Sequence, residues 1–329
     1  MTEDDAPDEG GPLYLSREQV VELLDTEAAI ASQRAAFTAL GTGAADLPAK
    51  IMHPSRFDDS VVFAYVSRLS ADSGAVAKFG SVNPGNAAAG LPTIHAVVSV
   101  LDPVTGRLAA VMDGAAVTTL RTAAGSAVAV DALATPDSTD LAVLGSGTQA
   151  VAHVRAIARV RDLKSVRLWS PTPERRARAA GTLADLGFAV QPVGSAEEAV
   201  TGASLVAACT LSTTPVVRGE WLTPGCTVVS VGSFEPTRRE VDPEVLRRSA
   251  AVVVDDPGTA AEHAGPVVHA FGAGLLAEGD LVALGAVLTG RATARTGPGD
   301  IVYYNSVGLG IQDAAAAWAV VRAAEEESR

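Results

Sequence analysis

The chain has 329 residues, of which 48% are hydrophobic and 19% charged, with a formal net charge of −13. This length supports two domains with separate cores. The acidic balance argues against nucleic acid and anionic membranes as partners, and no apolar run approaches the length of a membrane span.

Residues 1–12 read as a disordered acidic tail, without the pattern of a secretory signal, so a cytoplasmic location is expected. Ser16 to Leu40 reads as one helix: Ser16-Arg-Glu-Gln19 has the form of a capping box, and Val20, Leu23, Leu24 and Ala28 mark an apolar face. Short strands are expected at Val61–Val66, Val76–Phe79, Ala96–Leu101 and Leu108–Met112. The last two flank Asp102-Pro-Val-Thr-Gly106, a strong hairpin signal. Val117 to Leu133 is alanine-rich and helical, and Thr135–Thr139 makes a short connector.

After residue 140 the pattern changes to regular alternation. Strands are expected at 141–144, 166–169, 188–191, 204–208, 227–231 and 251–254, with helical runs between most of them. The fold class is therefore α/β: a Rossmann-type doubly wound parallel sheet, plus a smaller α+β domain. Val302-Tyr-Tyr-Asn-Ser306 and a helix from Gln312 to Glu326 are expected to return to the first domain. The expected division is 13–130 with 304–329 for that domain, and 131–303 for the nucleotide-binding one.

The strand at 141–144 breaks into Gly145-Ser146-Gly147-Thr148-Gln149-Ala150, a G-x-G-x-x-A turn that leads directly into a helical run. Such a turn places backbone N–H groups and a positive helix end under a pyrophosphate. Gly145 permits the turn, Gly147 lets a phosphate approach, and Ala150 allows close helix–strand packing. An NAD-preferring site usually carries an acidic residue after the second strand. Here Ser170-Pro-Thr172-Pro-Glu174-Arg175-Arg176 follows it. Small hydroxyls at Ser170 and Thr172 followed by two arginines, Arg175 and Arg176, suit a 2′-phosphate, so NADP(H) is favoured over NAD(H). Gly232 and Ser233, after a parallel strand, are candidates for the nicotinamide-ribose side.

Among 25 basic residues only Lys50, Lys78 and Lys164 are lysines. Lysine in a buried-looking stretch has a chemical meaning arginine lacks, because burial can bring it to exchange a proton near neutrality. Cys209 and Cys226 read as small core residues, and the five histidines have no metal-ligand spacing, so no metal is assigned. Asp255-Asp256 reads as loop solvation, and Gln312-Asp313 as a cap or anchor of the last helix.

Three further stretches carry a family likeness: Ala77-Lys78-Phe-Gly…Asn83-Pro84…Gly90-Leu-Pro-Thr93, Met112-Asp-Gly114…Thr118-Thr-Leu-Arg121-Thr-Ala-Ala, and Val231-Gly232-Ser233-Phe234-Glu-Pro236…Arg239-Glu240-Val-Asp242. With the glycine turn between them, the chain resembles the ornithine cyclodeaminase/μ-crystallin family from about Lys50 to Asp313. The resemblance implies a homodimer, with a substrate-binding and dimerisation domain beside a Rossmann domain. It also implies hydride transfer at Cα of a small imino or amino acid. By that resemblance Lys78 is the active-site lysine, Arg121 grips the substrate carboxylate and Thr93 lies near it. Lys50 stands where the family commonly has an arginine, and a lysine cannot make the bidentate fork.

Phe234 replaces the aspartate that assists deamination in the family's cyclodeaminases, and phenylalanine can take no proton. The expected activity is therefore NADPH-dependent reduction of a cyclic ketimine carboxylate, with Phe234 packing on the substrate ring or on the nicotinamide. The alternatives are an ornithine or lysine cyclodeaminase, an alanine dehydrogenase-like enzyme, and an NADP(H)-dependent small-molecule-binding protein.

Overall fold

The computed structural model describes residues 11–89 and 91–327. Most of the expected acidic tail, and Gly90 of the Gly90–Thr93 stretch, lie outside the described residues. The chain divides into two compact units. One comprises the chain up to Asp25, Ala45–Thr118 and the chain from Gly310; the other comprises Thr26–Ala44 and Thr119–Leu309.

The first unit is built on six strands: β1 (Leu13–Leu15), β2 (Ile51–Pro54), β3 (Val61–Ser67), β4 (Val76–Val82), β5 (Ile94–Leu101) and β6 (Leu108–Asp113). Their spatial order is β1-β6-β5-β4-β3-β2, antiparallel throughout except for the β1–β6 pair. Two-residue alternation turns Phe63, Val76, Val98, Val100, Ala110 and Met112 to one face, where all are buried. The helix Gly310–Glu327 packs on β3, β4 and β5. The Trp318 indole Nε1 on that helix donates to the Gly74 carbonyl at 3.0 Å. The opposite face leaves Ile51, Val62, Val66 and Phe79 exposed.

The second unit holds eight strands: β7 (Asp140–Leu144), β8 (Ser165–Trp169), β9 (Val190–Pro192), β10 (Leu205–Ala208), β11 (Thr227–Ser230), β12 (Ser249–Val254), β13 (Leu281–Ala283) and β14 (Ile301–Asn305). Every neighbouring pair is parallel, in the order β13-β12-β14-β11-β10-β7-β8-β9. The central strands are buried on both faces, which is why they read as continuous apolar runs. The strand order reverses between β7 and β10, the place where doubly wound sheets bind ligands.

Four expectations are corrected. The Ser16 capping box is present, but the helix it starts, Arg17–Leu23, stops at Leu24, and a second helix runs from Thr26 to Thr42. Asp25-Thr26 is itself a helix-start signal, and the apolar periodicity runs across it. Strands β1, β2 and β13 were not foreseen; each is a short edge strand of its sheet. The helix Thr26–Thr42 and most of Gly114–Leu133 belong to the second unit, because Phe37, Val128, Ala129, Val130 and Leu133 are part of that unit's core. Finally, the Val302–Ser306 run does not return to the first unit: β14 lies between β11 and β12, and only the helix after it returns.

Both cysteines are free thiols. Burial pushes the Cys209 thiol well up and the Cys226 thiol up to about 12, as suits small core residues.

Candidate active site

In the first unit, strand register creates one unusual position. Lys78 on β4 pairs with Tyr65 on β3 and Val98 on β5, on the face that packs under the C-terminal helix. Its side chain is 2% exposed. The ammonium lies 2.7 Å from Oδ2 of Asp313, itself 1% exposed and in the first turn of that helix. Nζ also donates to Thr118 Oγ1 at 3.4 Å and stands 4.6 Å from the centre of the Tyr65 ring. The half-buried Lys50 brings a second ammonium to 5.9 Å from the same ring. Burying an ion pair costs several kcal/mol per ion in lost hydration, so such a pair needs close partners to persist. The Asp313 carboxylate is the counter-charge that accompanies the buried ammonium.

Asp313, read from the sequence only as a cap or anchor of the last helix, is instead the partner of Lys78, and Tyr65 was not singled out at all. Asp313 is an acid set among buried alanines, Ala314–Ala317, which is the one signal that it faces inward. Thr93 is half-buried just before β5, and its carbonyl accepts from the Asn83 N–H at 2.6 Å. His95 is exposed.

In the second unit, β7 ends at Gly145, whose φ of +120° is open to glycine. A Cβ there would stand 2.5 Å from the Cys209 carbonyl oxygen, so the turn hugs the end of β10. Gly147 is the N-cap of the helix Thr148–Ile157 with no side-chain cap, and a Cβ on it would meet nothing within 4 Å. The first helical N–H groups therefore point into open space, as a phosphate requires. Ser146, Gly147 and Thr148 line a cleft of about 610 Å³ with Arg155, Arg175 and Arg178. The buried Gln149 Oε1 has no hydrogen-bond partner among the described residues, and Ala150 is fully buried under the helix. The residues present fit the phosphates of a dinucleotide.

Arg178 joins the cleft without having been foreseen, one helical turn beyond Arg175. Arg176 instead turns back to the Ser170 carbonyl at 3.1 Å. Ser170 is 3% exposed, whereas Thr172 is exposed and makes no side-chain cap. Gly232 and Ser233 are both bonded to Glu240. The Gly232 N–H donates to Glu240 Oε2 at 2.7 Å, and the Glu240 N–H donates to Ser233 Oγ at 2.9 Å. Glu240 also accepts from Ser230 Oγ at 2.7 Å and from the Thr210 N–H and hydroxyl. Burial pushes this carboxyl up, against the opposing pull of those hydrogen bonds. It ties the loops after β10 and β11 together.

His153, on the helix after the glycine turn, is structural. Its Nδ1 lies 2.7 Å from the Gln149 carbonyl oxygen, which only accepts, so Nδ1 carries the proton and Nε2 accepts from Ser126 Oγ at 2.8 Å. Burial pulls its pKa down to about 4. The unfolded chain, with a pKa near 6.5, then binds more protons between these values, so this stability is present above pH 6.5 and lost as pH falls toward 4. The stability advantage of wild type over His153→Gln is expected to narrow by about 2 kcal/mol from pH 7 to pH 4.5 in urea titrations. A pH-independent gap would exclude His153 as the acid-sensitive group.

Arg121, on the helix Gly114–Leu133, is 6% exposed. Its guanidinium lies against Gly308, where an added Cβ would meet Nη2 at 2.9 Å and Nη1 at 3.0 Å. Asp255 is not loop solvation: it is 2% exposed and accepts from four groups around that glycine. Phe234 is half-buried, with the Arg238 guanidinium over its ring at 4.6 Å.

A buried, carboxylate-held lysine and a basic cleft at the switch point of a parallel sheet are the equipment of a nicotinamide-nucleotide-dependent oxidoreductase. The comparisons with known proteins agree. The chain belongs to the ornithine cyclodeaminase/mu-crystallin family, whose sequence model matches residues 12–328. It is 32% identical to the mouse ketimine reductase mu-crystallin over 314 residues, covering 93% of this chain and 95% of that protein. Among solved structures, it resembles the Thermococcus litoralis Δ1-pyrroline-2-carboxylate reductase in complex with NADH and L-proline, with a TM-score of 0.92 and 30% identity over 96% of this chain and 98% of that one. An archaeal alanine dehydrogenase dimer with bound NAD gives 0.90 and 30% over 97% of each chain.

Proposed function

We propose that this chain reduces a cyclic ketimine carboxylate, Δ1-pyrroline-2-carboxylate or its six-membered homologue Δ1-piperideine-2-carboxylate, to the cyclic amino acid with NADPH. The observation that carries the proposal is the buried Lys78–Asp313 pair at 2.7 Å. In the reaction the C=N bond becomes single, the imine carbon gains a hydride and the nitrogen gains a proton. A dinucleotide whose phosphates are held by the glycine turn would supply the hydride from its reduced ring. Lys78 supplies the proton to nitrogen, with Asp313 as its counter-charge. Arg121 binds the carboxylate, with Lys50 and Thr93 assisting. Phe234 offers an apolar surface and no base, which favours reduction over deamination.

The test is NADPH oxidation with Δ1-pyrroline-2-carboxylate, run beside NADH, pyruvate plus ammonium, and L-ornithine with NAD. Turnover with the cyclic imine alone supports the reading. Turnover only in the ammonium arm would make the chain an amino-acid dehydrogenase, and turnover only with ornithine a cyclodeaminase. NADPH binding without turnover in any arm would favour a small-molecule-binding role.

The NADPH preference rests on Arg175 and Arg178 in the cleft beside Ser146–Thr148. Each charge-assisted bond to a 2′-phosphate is worth roughly 1.5–3 kcal/mol. The double variant Arg175→Ala, Arg178→Ala is therefore expected to raise the KM for NADPH about 100-fold or more and leave that for NADH nearly unchanged. Equal effects on both nucleotides would move the 2′-phosphate elsewhere. The exposed apolar face bearing Ile51, Val62, Val66 and Phe79 supports a homodimer, because an open sheet face of this kind asks for a cover. A monomeric mass by light scattering would overturn that part.

A further inference from the structure

Asp255 closes β12 with no role in proton transfer or nucleotide binding, yet its carboxylate is one of the best-furnished groups in the second unit. Oδ1 accepts from the Tyr304 hydroxyl in a close contact. Oδ2 accepts from Ser306 Oγ at 2.9 Å and from the successive N–H groups of Val307 at 2.8 Å and Gly308 at 2.9 Å. Two consecutive amides and a hydroxyl on one oxygen pin the segment Ser306–Gly308 as a turn. Gly308 there adopts φ +77°, a conformation that side chains disfavour. Its missing side chain is what lets the Arg121 guanidinium lie against the backbone. The carboxylate thus fixes the surface on which Arg121 rests.

We infer that Asp255 is a positioning residue. It holds the Ser306–Gly308 turn so that Arg121 is aimed at the substrate carboxylate, and through Arg121 it selects imines that carry a carboxylate over imines that lack one. This rests on the reading of Arg121 as the carboxylate anchor. Asp255→Asn weakens the pin, because an amide keeps one acceptor oxygen but loses the charge and the second. Gly308→Ala leaves Asp255 in place and pushes the end of the Arg121 side chain away.

Both variants are assayed with NADPH against Δ1-pyrroline-2-carboxylate and against Δ1-pyrroline, which has the same ring without the carboxylate. With the carboxylated imine, KM is expected to rise about 10-fold or more, with kcat within about threefold of wild type and NADPH affinity unchanged. With Δ1-pyrroline, kcat/KM is expected to match wild type. Equal losses on both imines, or a fall in kcat at constant KM, would reduce Asp255 to a support of the fold and overturn the inference. If Asp255→Asn fails to bind NADPH because it does not fold, Gly308→Ala decides the matter by the same criteria. Arg121→Ala serves as the reference. If it abolishes the preference for the carboxylated imine while the other two variants keep it, the positioning role alone fails. If wild type shows no such preference, the assignment of Arg121 fails, and this inference with it.

Discussion

Lys78→Met is expected to lower kcat for the cyclic imine by about 10²–10⁴-fold, the usual contribution of a positioned general acid, while NADPH still binds. Methionine keeps the length of the side chain and removes its proton. The same change leaves Asp313 buried beside an apolar group, at a stability cost of about 3–5 kcal/mol. A thermal melt alone would therefore confuse chemistry with folding. Pairing Lys78→Met with Asp313→Leu separates the two: removing both charges is expected to restore most of the stability and none of the activity. A double variant that is stable and active would place the proton donor elsewhere. Full activity in Lys78→Met alone would have the same meaning.

The second large effect is expected at Arg121. Lysine at this position keeps the charge and loses the planar fork that meets both oxygens of a carboxylate. Arg121→Lys is expected to lower kcat/KM about 10–100-fold, mostly through KM, with NADPH binding intact. Lys50 makes this test sharper, because a lysine stands where the resemblance led one to expect a second arginine. Arg121 is then the one fork left to the proposed carboxylate site. A fall in kcat with an unchanged KM would mean that Arg121 acts on the reacting bond instead. No change in either constant would remove it from the site.

The parts of the molecule that were legible in the sequence are those whose constraint is local. The glycine turn announces itself because Gly145 and Gly147 must satisfy a turn, a close approach to β10 and a helix start within three residues. The buried strands of the parallel sheet announce themselves as apolar runs. The edge strands β1, β2 and β13 do not, since three or four half-exposed residues carry almost no periodicity. The site divides along the same line. Arg175 could be found from its place after the second strand. Asp313 and Asp255 could not, because a carboxylate is given its meaning by partners far away in the chain. Asp313 meets Lys78, and Asp255 meets a turn some fifty residues on. Gly232 and Ser233 show the same dependence on a distant partner. Their position after a parallel strand suits a ligand, but Glu240 had already claimed their polar groups.

The place of β14 has a consequence for how the protein is made. This strand is the last of the eight to be synthesised, and it fits between β11 and β12 rather than at an edge. A nascent chain that has not yet delivered Asn305 therefore has a divided sheet, with β11 and β12 each presenting an open row of amides and carbonyls. Such rows recruit stray strands from other chains. Any product terminated before residue 305 is a template for aggregation. The vulnerable period in the life of this protein is thus the interval before that strand arrives to close the gap.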